Sequence, residues 1–308
     1  VIGDVDYLDP GDGSGIAAAI AALPVAGGDI AFRRGTYTLA AALSLPANST
    51  LIGAGASSIL VGTALIRHLL TVADDSFIQG FQLQLPDDAG VGAAGTNIVN
   101  LANRARARDL NFLLNGNAAT VNESLTSIIT TDAFSMGVSM MDLFIDSVLT
   151  PGIVGVQLLG DEHRLDGAYF FTMLGGGADP AVRVQGDRNM VDNVTGVSLS
   201  GFVIVGSSNQ VRGSLQIAGG IGASLQAADR CLVQVAVVDF LGQGGPGIEI
   251  DANSDRNMIE GCSVRDYGTG VDIAVGATDN IVLGNEVDVT GVPINDLGTN
   301  TEVAHNRT

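Results

Sequence analysis

Lysine and tryptophan are absent from this 308-residue chain, so all fourteen basic residues are Arg. Glutamate is scarce too: six of the 33 acids are Glu and the other 27 are Asp. A Lys-free, Glu-poor chain with 42 Gly argues against a mainly helical protein, whose exposed faces usually carry Glu and Lys. Positive charge is short as well, and a formal charge of −19 excludes the basic footprint that nucleic-acid binding needs. Long apolar runs are missing, so nothing reads as a membrane span. Val1 to Pro10 holds three Asp and no basic residue, which does not read as a secretion signal. Two cysteines, Cys231 and Cys262, are too few for a disulfide framework or a zinc site, and buried free thiols are the expectation. What remains is 46% hydrophobic and 15% charged, which excludes a disordered chain and suffices for a large core.

The informative feature is repetition. SDRNMIEGCSV, GATDNIVLGNEV, GDRNMVDNV, GSSNQVRGS and AADRCLVQVAVV share one pattern. Anchored on the first buried aliphatic, the series is Ile78, Ala107, Met140, Leu165, Val191, Val211, Val233, Ile259, Val282 and Val303, spaced 20 to 33 residues apart. That period, with short strands in each unit, indicates a β-solenoid. Alternation inside a unit, Ile259, Gly261 and Ser263 against Glu260, Cys262 and Val264, is the expected strand pattern. Second strands follow at 180–184, 246–250, 269–273 and 291–294.

Two columns of the repeat are polar. Four residues before the anchor, nine of ten positions are Asp, Asn, Ser or Thr, which close turns onto their own backbone. Two before it, Asn189, Asn209, Asn257 and Asn280 recur, and stacked asparagines can bond from coil to coil. Arg104, Arg188, Arg230 and Arg256 lie between these columns and are expected at the surface beside the turn acids. The first sixty residues differ, with an Ala-rich helix over Ile16–Leu23, Ser14 as its N-cap, and strands at 30–32, 37–39 and 50–52.

The run from the GDG turn through the short helix to GGDIAFRRGTYTL and LSLPANSTLIGAG is similar to the N-terminal coils of the pectate-lyase-like right-handed parallel β-helix superfamily. Arg33 and Arg34 stand where relatives often have Pro. The resemblance implies an all-β, single-stranded right-handed parallel β-helix over residues 1–308, with an N-terminal cap and first coils in 1–60 and repeating coils in 61–308. It also implies a range of roles: polysaccharide lyases, hydrolases and epimerases, and phage tailspike and other virion proteins.

Chemistry is thin. A lyase of this kind needs a base beside a uronate carboxylate and often Ca²⁺ held by Asp; otherwise no cofactor is expected. Lys is excluded as that base, and the adjacent aspartate pairs are Asp74–Asp75, in the turn column, and Asp87–Asp88, in a loop. The densest mix of acid, base and cation is Asp161, Glu162, His163 and Arg164, where Asp161, Glu162 and His163 are the catalytic candidates of an enzyme reading. His163 occupies the column that later coils fill with Asn, so its plainer reading is a turn histidine. Arg104, Arg106 and Arg108 would share one strand face as a ligand-binding row, or form a ladder with acids such as Asp75. Few aromatics fall at outward positions. No metal site is expected.

The expected function is a non-catalytic structural or attachment protein on a virion surface or otherwise extracellular. Its partners would be its own copies in a trimer, or other virion subunits covering an open C-terminal end, and a surface polysaccharide. Nucleic acid and membrane are not expected partners. The alternative is a polysaccharide-degrading enzyme acting on a bacterial surface glycan. An outward face lined with acids and aromatics would favour carbohydrate; a flat apolar face would favour assembly.

Overall fold

The computed structural model describes residues 14–63, 68–85, 97–114, 127–147, 153–173, 180–242 and 245–308. Asp87 and Asp88 lie outside them. Two parallel sheets run side by side up a solenoid, one of sixteen strands and one of eleven. Each coil contributes a strand to the long sheet, turns a corner, and contributes a strand to the second sheet. The first path includes Phe77–Gln84, Arg106–Leu114, Ser139–Ser147, Arg164–Met173, Met190–Ser198, Gln210–Ile217 and Leu232–Asp239. The second includes Asn97–Leu101, Val154–Leu159, Pro180–Gln185, Pro246–Ile250 and Thr269–Ile273. A pectate-lyase-like parallel β-helix is the fold.

All ten anchors lie in one column, each paired in register with the next, from Ile78 with Ala107 to Val282 with Val303. They point inward and all but Val303 are buried. Aliphatics on the second sheet, such as Val182, Val184, Ile248 and Ile250, face them across the solenoid. Burial of this continuous apolar column is the main driving force, at roughly 25 cal/mol per Å² of apolar surface removed from water. The N-terminal helix spans Ser14–Ala21 and buries Ile16 and Ala19 against the first coils. Ser14 is its first helical residue.

Polar ladders fix the register. The Asn189 backbone N–H donates to Asn209 Oδ1 at 2.9 Å, and the Asn257 N–H donates to Asn280 Oδ1 at 2.9 Å. The same amides donate back to carbonyls, Asn257 Nδ2 to Ala228 O at 2.9 Å. The turn column differs from expectation. Asp161 Oδ1 accepts from the Asp187 N–H at 2.8 Å, and Asp187 Oδ1 from the Ser207 N–H at 2.7 Å. These acids therefore reach the next coil rather than their own turn. A second interior ladder went unseen in the sequence: Cys262 N–H donates to Asn285 Oδ1 and Asn285 N–H to Asn306 Oδ1.

The simple alternation at Ile259–Val264 is corrected. Ile259, Cys262 and Val264 are buried while Gly261 is exposed with φ +63°. One extra residue in left-handed conformation sits there, flips the alternation and bends the sheet, as a β-bulge does. Gly80, Asp109, Asp142, Gly167, Asn193, Gly284 and His305 occupy the same corner with positive φ. From Asp109 onward they form a ridge along the outer surface, while Gly80 is covered by Gly53 and Gly55.

Candidate functional site

The expected site residues do not gather into one site. His163 is 1% exposed and is part of the interior ladder. Its Nδ1 accepts the Val138 N–H at 3.1 Å, so the ring proton must sit on Nε2, 2.8 Å from Leu159 O. Burial depresses its pKa, which keeps the imidazole neutral. Asp161 and Glu162 stay on the outer corner, where Arg188 Nη2 lies 3.0 Å from Glu162 Oε1 and 3.9 Å from Asp161 Oδ2. The ring is thus turned into the wall, and the two carboxylates face solvent.

The row of three arginines is corrected to two and one. Arg104 has φ +52° in the corner before its strand, which begins at Arg106. It forks onto Asp75, Nε and Nη2 each 2.6 Å from a carboxylate oxygen, as the ladder alternative required. That hydrogen bond holds the Asp75 carboxyl below the ordinary range. Arg106 and Arg108 do share the outer face of the strand. Arg106 lies over the Phe77 ring, 5.5 Å from its centroid, and Arg108 is 3.6 Å from both Asp109 and Asp142.

The outer face of the long sheet carries a group that sequence reasoning missed. Phe144 and Tyr169 are paired in register on adjacent coils, their rings stacked with centroids 5.5 Å apart at 16°. Phe171 joins them, 6.5 Å from Phe144. The three remain 36%, 43% and 53% exposed. The expectation of few outward aromatics fails because the extra corner residue moves positions 144 and 169 to the outside. Each stands four residues after its anchor, a position that simple alternation assigns to the inside and that the corner residues Asp142 and Gly167 turn outward.

Beside the rings runs a column of Met141 followed by the charged Asp166, Asp192 and Arg212 on successive coils. Asp166 accepts from Asn193 Nδ2 and from Arg164 Nη2, both at 2.8 Å. Those two bonds, the Asn193 amide first, hold its carboxyl below the usual carboxylate range. It is therefore a fixed acceptor at neutral pH rather than a proton donor. Rings with apolar faces beside fixed acceptors and guanidinium donors suit a ligand that is itself apolar on its ring faces and hydroxylated at its rim.

No protein-family model and no curated protein matches the sequence. Among solved structures, the chain is similar to the A-module of the Azotobacter vinelandii mannuronan C-5 epimerase AlgE6, with 15% identity, TM-score 0.65, 98% of this chain and 97% of that chain. It is also similar to the pre-mature gene product 12 of bacteriophage phi29, with 14% identity and TM-score 0.55, over 97% of this chain and 54% of that one. A third is the catalytic unit of a GH87 α-1,3-glucanase from Streptomyces thermodiastaticus, with 14% identity and TM-score 0.50, over 97% and 67%. At these identities the likeness concerns the fold.

Proposed function

We propose that this protein is an attachment protein that holds a polysaccharide against the outer face of its long sheet without cleaving it. The observation that carries the reading is the exposed stack of Phe144, Tyr169 and Phe171 beside Asp166, Arg164 and Arg212. Three rings left in water on an otherwise polar strand face have a cost that a carbohydrate partner removes. The fold agrees, since similar solved structures include a mannuronan epimerase, a glucanase and a phage gene product. On this reading the protein works outside the cell or on a virion surface, as a trimer or with other virion subunits, and needs no cofactor.

The rival is cleavage or epimerisation, favoured by the carboxylates Asp166 and Asp192 paired on adjacent coils. One experiment separates them. Bacterial capsular and uronate polysaccharides are titrated onto the protein while their chain length and new ends are followed. Binding to at least one polymer is expected, with chain length unchanged. Each ring is worth on the order of 1 kcal/mol, so Phe144→Ala with Tyr169→Ala weakens that binding roughly tenfold or more. Shortening that Asp166→Asn abolishes would overturn the attachment reading in favour of an enzyme. No binding by the wild type, or binding indifferent to the rings, would overturn the glycan reading.

A further inference from the structure

The corner ridge has a gap. Bulged coils take three steps from the anchor to the next inward residue, as from Val191 to Val194. Gln210–Ile217 takes two, from Val211 to Gly213, and Leu232–Asp239 likewise takes two, from Val233 to Val235. The protruding residue is missing from both coils. It stands again on either side, as Asn193 before them and Gly261 after them. These two flanking coils are three strand spacings apart, about 14 Å.

The side chains at the gap are graded in size. The column that carries Phe144 and Tyr169 continues as Thr195, Ser214, Ala236 and Ser263. One face of the Tyr169 ring is stacked on Phe144. Its other face borders Thr195, at the small-residue end of the column. Polar groups line the same gap on the neighbouring column. Arg212 Nη1 is 3.6 Å from Asp192 Oδ1, and its Nε donates to Gln234 Oε1 at 2.6 Å. That orientation of the Gln234 amide leaves its NH2 as a donor without a partner among the described residues.

We infer that this notch is a subsite for a single pyranose unit. The ring's C–H face would lie on Tyr169 above Thr195 and Ser214. Vicinal hydroxyls would donate to Asp192 and accept from Arg212 and Gln234. The inference rests on the glycan reading and deepens it, by fixing where one sugar of the polymer is gripped while Phe144 and Phe171 serve the chain beyond it.

The test uses saturation-transfer NMR with a panel of methyl pyranosides, beside polymer binding by the same variants. Ser214→Trp fills the notch from an exposed strand position that tolerates an aromatic side chain. Wild type is expected to bind at least one methyl pyranoside, and Ser214→Trp to lose that signal at least tenfold. Unfolding of the Trp variant is checked by circular dichroism, with Gln234→Ala as the second variant, expected to weaken the pyranoside several-fold. Pyranoside binding unchanged in both variants overturns the notch. So does polymer binding by a wild type that takes no pyranoside; in both cases the polysaccharide reading stands if the ring substitutions still weaken the polymer. Failure of every sugar and every polymer overturns the two together.

Discussion

His163 shows what a single residue can mean in a solenoid wall. Its neighbours in the ladder are amides: the His163 N–H itself donates to Asn189 Oδ1 at 2.8 Å. The imidazole does an asparagine's work with one acceptor and one donor nitrogen, and it does so only while neutral. Burial depresses its folded pKa below the ordinary 6.5. The stability it contributes is therefore fully present above pH 6.5 and is lost as pH falls through the folded value, with a slope of up to about 1.4 kcal/mol per pH unit. Urea midpoints of wild type and His163→Asn, followed from pH 8 to pH 5, should diverge below about pH 6.5, with the wild type losing more. Parallel curves would show that the imidazole is not held neutral. The ladder column was legible in the sequence because asparagine recurs two residues before four of the anchors. The direction in which His163 points was not, since an inward and an outward polar residue look alike until register is known.

At the scale of the element, the two corners explain what periodicity revealed and what it hid. Three residues before every anchor the backbone is left-handed, and most of those residues are not glycine: Asp75, Arg104, Glu162, Arg188, Ser208, Arg230 and Arg256 all have φ between +52° and +61°. A non-glycine residue there costs about 1–2 kcal/mol, less for Asn and Asp. Ser208, at φ +60°, is a clean place to measure it. Ser208→Asn should raise the unfolding free energy by about 0.5–1 kcal/mol, and Ser208→Val should lower it by about 1–2 kcal/mol, both read from denaturant titration. Equal stabilities would mean that the corner relaxes. The first corner was legible because polar turn residues flank it in nearly every repeat. The second was not, because its extra residue is Gly in four coils, Asp, Asn or His in four others and missing from two. Missing it inverts the inside–outside assignment of everything after it, which is why Cys262 and the outward rings were misplaced.

For the molecule as a whole, stability is a sum over neighbouring coils, and protection should follow position. Val303 is 42% exposed in a column where the earlier anchors are almost wholly buried. Among the ten anchor strands, amide exchange should be faster at Glu302–Ala304 than in the middle coils around Val191–Ile217. Cys231 and Cys262 are 1% and 2% exposed, and burial pushes the Cys262 thiol up to about 12. Neither should react with a thiol reagent until the chain is unfolded, and labelling at native speed would show that the coils part readily. The solenoid itself was the most legible feature of all, since the ten anchors form one hydrogen-bonded column. The anchor column holds Ile, Ala, Met, Leu and Val on different coils, with coils of unequal length between them. What the rungs share is an inward aliphatic side chain and a common register, not one residue type or one loop length. The chain's ancestry is thus recorded in intervals rather than in identities, and a search that weighs letters will pass it by.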